Sequence, residues 1–226
     1  MTRQAFPLDQ WAKGIAFFSP FDKGMSRYVG ANHEGVIPDG LAWYKDELSV
    51  AHALYNAYLH KERFKAGRYA TPPEVAVQLV IALGLRLGMR VLDPCAGIGS
   101  LLWQARLTGA EVYGYETGYR AWSVAKRMGL NVTNGDYFVD SEMNHVLRPH
   151  AVLLVPPFSR NKKYDNLALR FLKDSAKYHT QVSCLLPDDI HIPPEYAVLE
   201  KDPLGDGVFL PLIKVSMTRY LLQSMV

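Results

Sequence analysis

The chain has 226 residues, of which 49% are apolar and 21% charged, a composition typical of a globular protein with one large domain. Its longest apolar stretch, residues 75–85, is too short to span a bilayer, and two cysteines exclude a disulfide framework. The formal net charge of +3 is compatible with a nucleic-acid partner but does not require one.

The chain divides into an N-terminal extension, residues 1–65, and a main domain, residues 66–226. Residues 1–45 are rich in aromatic residues, glycine and proline, and residues 46–64 have a helical pattern. We expect this extension to pack on the main domain or on a partner. The first residues lead into no signal-peptide core, and we therefore expect a cytoplasmic protein. The histidines show no metal-ligand spacing, so no metal is expected.

Alternating strand and helix patterns follow from residue 72 onward. A helix over residues 72–83 is preceded by a capping box, Thr71-x-x-Glu74. The expected strands are 90–93, 111–116, 131–133, 150–155 and 181–186, the expected helices are 100–107, 119–128 and 166–177, and the tail should form strands at 208–210 and 213–221. This order predicts an α/β fold with a doubly wound, mostly parallel, Rossmann-like sheet.

The loop after the first expected strand has the sequence D-P-C-A-G-I-G-S, from Asp93 to Ser100. Gly97 and Gly99 would let a ligand approach the backbone. A dinucleotide loop would need a third glycine where Leu102 stands, and a P-loop would need a lysine. A small-molecule site and an ordinary glycine-containing turn both remain open. Cys95 lies inside this turn with no histidine near it in sequence, so we do not expect a nucleophile there.

Carboxylates also stand at the ends of the second and third expected strands. Because the carboxyl ends of parallel strands meet at one edge, we expect Glu116 and Asp136 to lie near Asp93. Glu116 could accept hydrogen bonds from ribose hydroxyls, and Asp136 could accept one from an adenine amino group. Glu116 could also be a solvated strand end.

Five motifs in this order resemble the N6-adenine class of S-adenosylmethionine-dependent methyltransferases. They are the segments 67–72 (G-R-Y-A-T-P), 93–100, Glu116, 135–138 (G-D-Y-F) and 155–158 (V-P-P-F), and the resemblance covers roughly residues 65–215. It implies a class I methyltransferase fold with S-adenosylmethionine as cofactor. The residues it assigns to the cofactor are Tyr69, Thr71 and Pro72 beside the methionine moiety, Asp93 and Gly97 at its amino-acid end, Glu116 at the ribose, and Asp136 and Tyr137 at the adenine. Ala96 and Gly99, in the same loop as Asp93, are also expected to bind the cofactor.

The last motif departs from the family at its first position. The family has Asn or Asp before Pro-Pro-aromatic, and here Val155 precedes Pro156, Pro157 and Phe158. By the resemblance, the Asn or Asp oxygen accepts a hydrogen bond from the substrate amine, the diproline presents a carbonyl, and the aromatic ring stacks on a flipped base. Valine offers no acceptor, so amine methylation should be impaired.

Three hypotheses therefore stay open. The first is an active methyltransferase on DNA or RNA, with Arg160, Lys162 and Lys163 either meeting the phosphate backbone or forming a solvated loop. The second is a catalytically degenerate subunit that binds the cofactor or nucleic acid and supports a protein partner or a second copy of itself. The third, weaker hypothesis is a methyltransferase for a protein or a small molecule.

Overall fold

The computed structural model describes residues 70–71, 73–140, 148–158, 162–178, 180–205 and 216–225. The helices are α1 (Pro73–Ala82), α2 (Ser100–Leu107), α3 (Tyr119–Arg127), α4 (Tyr137–Asp140) and α5 (Lys162–Ala176). The strands are β1 (Arg90–Asp93), β2 (Glu111–Glu116), β3 (Val132–Asn134), β4 (Ala151–Leu154), β5 (Gln181–Pro187), β6 (Tyr196–Gly205) and β7 (Met217–Ser224). The expected helix within the N-terminal extension lies outside the described residues.

These seven strands form one sheet in the order β3-β2-β1-β4-β5-β7-β6. The first five strands are parallel to one another, and β7 pairs antiparallel with both β5 and β6. The order reverses between β1 and β4, and the loops after these neighbouring strands therefore open a crevice at their carboxyl ends. The predicted α/β fold with a mostly parallel sheet is confirmed.

The core has two layers because successive strand residues point to opposite faces of the sheet. In β1, Val91 packs in a cluster with α1, α2 and α3, whereas Leu92 packs in a second cluster with α5. β4 repeats this alternation with Leu153 and Leu154, and both side chains are fully buried. Helices therefore cover both faces, as the continuous apolar runs of the central strands require.

The tail differs from the sequence-based expectation. β6 was not expected, the expected strand at 208–210 lies outside the described residues, and β7 extends three residues beyond the expected end at Leu221. β6 contains Glu200, Lys201, Asp202 and Pro203, and its pairing with β7 shifts register twice. Charges, a proline and bulges are typical of an edge strand, which does not show the apolar pattern of a central one.

Helix α5 begins four residues before the expected residue 166. Its first turn, K-K-Y-D, lacks the apolar spacing that predicts a helix. No helix in the described part of the chain is long and apolar enough to cross a membrane.

Candidate functional site

The turn between β1 and α2 is fixed by backbone hydrogen bonds. Ala96 N–H donates to Tyr115 O on β2 at 2.8 Å, and Gly99 N–H donates to Ala96 O at 2.8 Å. Both glycines adopt left-handed backbone angles, with φ of 57° at Gly97 and 88° at Gly99. Residues with a Cβ rarely adopt such angles, which explains why this short turn needs glycine at both positions.

Asp93, at the end of β1, is a buried acid with one carboxylate oxygen unused by the protein. Its Oδ1 accepts a hydrogen bond from Cys95 N–H at 3.0 Å, whereas Oδ2 has no partner among the described residues. Burial raises the pKa of Asp93 to about 7, the Cys95 N–H bond opposes this rise, and the Glu116 charge adds to it. A buried acceptor left in this state fits a cationic or hydrogen-bonding group of a ligand.

A small cavity of about 30 Å³ adjoins Asp93. Its wall includes Thr71, Gly97 and Val155, which come from three separate segments of the chain. Thr71 is itself buried, at 6% exposure. The cavity is therefore suited to a single small polar group, such as the ammonium end of an amino acid.

Glu116 joins the loops that follow β1 and β2. Its Oε2 accepts a hydrogen bond from Gly97 N–H at 3.0 Å, and its Oε1 accepts one from Gly118 N–H. The carboxylate lies on the wall of a second, larger cavity. Each carboxylate oxygen can accept more than one hydrogen bond, so a carboxylate at this position can also accept one from a ligand hydroxyl.

The third strand end carries Asp136 and Tyr137 in different settings. Asp136 is exposed and its Oδ1 accepts a hydrogen bond from Phe138 N–H at 2.9 Å. Tyr137 is only 2% exposed, and its hydroxyl donates to Asp174 and lies 3.0 Å from the Tyr178 hydroxyl. The Tyr137 hydroxyl is thus engaged with α5 and its continuation, while its ring contributes to the larger cavity.

The fourth strand end places the V-P-P-F segment against the β1 loop. Val155 is partly buried and lines both cavities, and Phe158 is buried at 3% exposure. The thiol of Cys95 donates to Val155 O at 3.3 Å. Burial, with the nearby charges of Asp93 and Glu116, raises the pKa of the Cys95 thiol well above its usual range, which opposes formation of a nucleophilic thiolate.

All four strand ends meet around the larger cavity, which measures about 450 Å³. This volume is within the range of sites for small organic ligands. The residues predicted from sequence that line it are Gly97, Glu116, Asp136, Tyr137, Val155, Pro156, Pro157 and Phe158. The smaller cavity adds Thr71, Asp93 and Ala96.

Of the remaining predicted residues, Gly99 lies away from the two cavities and the side chains of the others fall outside the described residues. Gly99 faces α3, where an added Cβ would overlap Leu130 Cδ1 and lie 3.3 Å from Ala125 Cβ. Tyr69, Pro72 and Arg160 fall outside the described residues. Lys162 and Lys163 lie in the first turn of α5, and their side chains also fall outside the described part. Within the described ranges, no group of three or more His, Cys, Asp and Glu side chains could hold a metal ion.

Sequence reasoning missed the wall that α5 contributes to the larger cavity. Leu167, Arg170 and Phe171 line it together with Phe138. Their i, i+3, i+4 spacing places them on a single face of the helix that follows the V-P-P-F segment. This spacing was the signal in the sequence from which the wall could have been predicted. In the structure, this face of α5 borders the larger cavity at the carboxyl ends of the strands.

No protein-family model matches the chain, and no curated protein matches it at a significant level. The structure is similar to TrmN from Thermus thermophilus, with a TM-score of 0.55 and 21% identity over 68% of this chain and 49% of that chain. It is also similar to a type I restriction-modification methyltransferase subunit from Streptococcus thermophilus, with a TM-score of 0.62 and 18% identity over 85% of this chain and 52% of that one.

A third similar structure is the M protein of the type I restriction enzyme EcoKI. The TM-score is 0.57 and the identity 14%, over 97% of this chain and 62% of that chain. The chain thus spans about half the length of TrmN and of the streptococcal subunit. At these identities the likeness shows the fold, which is that of the class I methyltransferases.

Proposed function

We propose that this chain is an S-adenosylmethionine-dependent methyltransferase domain that acts on an amino group of a nucleic-acid base, of the N6-adenine type. One observation carries the proposal: a buried carboxylate oxygen of Asp93 lacks a partner where four strand ends enclose two adjoining cavities. The cofactor has an ammonium group that such an oxygen would bind, and an adenosine moiety that the larger cavity would accommodate. The class I methyltransferase fold supports the same assignment.

The site residues fit this cofactor in chemical character. Asp93 and Thr71 would hold the amino-acid end, Glu116 the ribose hydroxyls, and Asp136 the adenine amino group. When bound, S-adenosylmethionine supplies an electrophilic methyl group. The role left for the chain is to hold the substrate amine near this methyl group and to exclude water. The apolar wall from Val155 to Phe158 would exclude the water.

Calorimetric titration with S-adenosylmethionine tests the proposal, followed by methyl transfer to pools of DNA and RNA. We expect saturable binding, and Glu116→Ala should weaken it several-fold because the ribose acceptor is lost. Glu111→Ala, at the opposite end of β2 from the cavities, is the matched control and should leave binding unchanged. An absence of binding to the wild-type chain at roughly millimolar cofactor would end the proposal.

Val155 favours a second candidate, a catalytically degenerate subunit. Its apolar side chain lies at the junction of both cavities, where the family has an acceptor for the substrate amine. Such a chain would bind S-adenosylmethionine or nucleic acid and support a catalytic partner. Cofactor binding without methyl transfer to either nucleic-acid pool would select this candidate over the active enzyme.

A further inference from the structure

We propose that Arg170 reads the adenine ring by donating a hydrogen bond to its N1 nitrogen, an inference that rests on the proposed function. Arg170 lies on α5 and lines the larger cavity beside Leu167 and Phe171. Its side chain is exposed. It therefore presents a cation at the wall of the larger cavity.

The position of the guanidinium group is set by an aromatic ring. Arg170 Cζ lies 3.7 Å from the centroid of the Phe138 ring, a distance at which two planar groups are in contact. Phe138 is in turn supported by Phe171, with ring centroids 4.6 Å apart. A guanidinium held against a ring directs its N–H donors outward in its own plane, in a fixed fork.

The described residues leave the donors of Arg170 unused. Among the described residues, no carboxylate forms an ion pair with Arg170 and no acceptor takes a hydrogen bond from it. Arg219 on β7, by contrast, forms ion pairs with both Glu200 and Asp202. A guanidinium that is oriented but unpaired at a cavity wall is available to a ligand acceptor.

Asp136 supplies the complementary group on the same cavity. Its exposed carboxylate is an acceptor, and its backbone leads directly through Tyr137 to Phe138, on which Arg170 rests. One edge of adenine presents an amino donor next to the N1 acceptor, so an acid and an arginine together match that edge. The aromatic and apolar neighbours of Arg170 suit a planar base better than a phosphate group.

The test compares the affinities of two ligands for the full chain. S-adenosylhomocysteine has the N1 acceptor, and its 1-deaza analogue has a C–H group there and is otherwise unchanged. We expect the wild type to bind S-adenosylhomocysteine about tenfold more tightly than the 1-deaza analogue. Arg170→Met keeps an unbranched side chain over Phe138 but removes the donors, and should abolish this preference. Lys173→Met, which changes an exposed cation one turn further along α5, is the control and should preserve the preference.

Three outcomes would overturn the inference. Arg170→Met could still bind S-adenosylhomocysteine more tightly than the 1-deaza analogue, which would show that another group donates the hydrogen bond to N1. Arg170→Met could weaken binding of an oligonucleotide while the ligand preference stays unchanged, which would make Arg170 a phosphate contact. If the wild type binds neither ligand, the proposed function itself fails. Because Arg170 is exposed, Arg170→Met should fold, and Arg170→Lys provides a second variant that retains charge but lacks the planar fork.

Discussion

Asp93 is the residue whose ionisation should control cofactor affinity. Burial raises the pKa of Asp93 to about 7, so the ligand-free fold favours the neutral acid below about pH 7. A bound ammonium group favours the carboxylate instead, because opposite charges attract in a buried site. Cofactor affinity should therefore rise as the pH rises through about 7, by roughly tenfold between about pH 6 and about pH 8. Titration calorimetry at several pH values measures this rise.

The same shift has the opposite consequence for the ligand-free protein. A carboxyl group whose folded-state pKa is raised stabilises the fold while it is protonated, and this contribution is lost as the pH rises from about 4 through about 7. Asp93→Asn keeps a neutral side chain of the same shape. It should bind the cofactor weakly and show no pH dependence in this window. A wild-type affinity that is flat across the window would contradict the role of Asp93.

Val155 is the residue that should limit transfer to an amine. Val155→Asn introduces an amide oxygen at the junction of the two cavities, where it can accept the hydrogen bond that valine cannot make. We expect methylation of an adenine-containing pool to appear or to increase by an order of magnitude or more. Incorporation of labelled methyl groups under single-turnover conditions provides the measurement.

The control for this change is Val155→Ala, which shortens the side chain without adding an acceptor and should not raise transfer. Val155 is only partly buried, so neither substitution should disrupt the sheet. Full activity in the wild type with no gain from Val155→Asn would show that the acceptor comes from another group. If both forms bind cofactor and neither transfers methyl, the chain is better described as a binding subunit.

Individual site residues could be predicted where a strand end, an acid and glycines coincide in the sequence. Asp93, Glu116 and Asp136 lie at three such points, and topology alone brings them to one edge. Arg170 could not be predicted in this way, because its importance depends on stacking against Phe138 across 32 residues of chain. The hydrogen bond from Cys95 to Val155 is likewise a tertiary contact that no local pattern indicates.

At the scale of elements, the β1–α2 turn should respond differently to substitution at its two glycines. A Cβ added at Gly97 has no heavy atom within 4 Å. Gly97→Ala should therefore lower the free energy of unfolding only by the cost of a left-handed backbone, about 1–2 kcal/mol. Gly99→Ala adds an overlap with buried Leu130, and should lose about 2–4 kcal/mol in total. Urea unfolding of the two variants measures both free energies.

The variants Gly97→Ala and Gly99→Ala also distinguish a loss of packing from a loss of contact with the ligand. Gly97 lines both cavities, so Gly97→Ala should weaken cofactor binding more than its small effect on stability implies. Gly99→Ala should reduce binding only through loss of folded protein. Equal losses of stability in the two variants would show that Leu130 moves aside easily and that the turn, not its packing against α3, sets the requirement for glycine.

Elements were predictable in proportion to the regularity of their patterns. Strands β1 and β2 and helix α2 have the expected bounds, because each is an apolar segment with a clear end, an acid for the two strands and a glycine shortly after the helix. β6 escaped prediction because an edge strand needs no apolar alternation, and its charged residues and Pro203 resemble a loop. β7 pairs antiparallel with β6 as well as with β5, so missing β6 removed one of the two partners from which its direction could be predicted.

At the scale of the whole molecule, the described residues form two apolar clusters, one on each face of the sheet. Both clusters include side chains from β1, β2, β4, β5 and β7. We therefore propose residues 66–226 as the domain that carries the cofactor site, and residues 1–65 as an extension that contributes to partner or nucleic-acid recognition. The aromatic content of the extension supports a role in contacts.

Deletion of residues 1–65 tests this division. The shortened chain should unfold cooperatively and bind S-adenosylmethionine within about threefold of the full chain, because Asp93, Glu116 and both cavities lie beyond the deletion. Selective binding to nucleic acid should decline, leaving a salt-sensitive interaction of basic side chains with phosphates. Calorimetry and oligonucleotide binding at two salt concentrations measure the two effects. A shortened chain that cannot fold would instead make the extension part of the core, and one with unchanged nucleic-acid selectivity would place recognition in the domain itself.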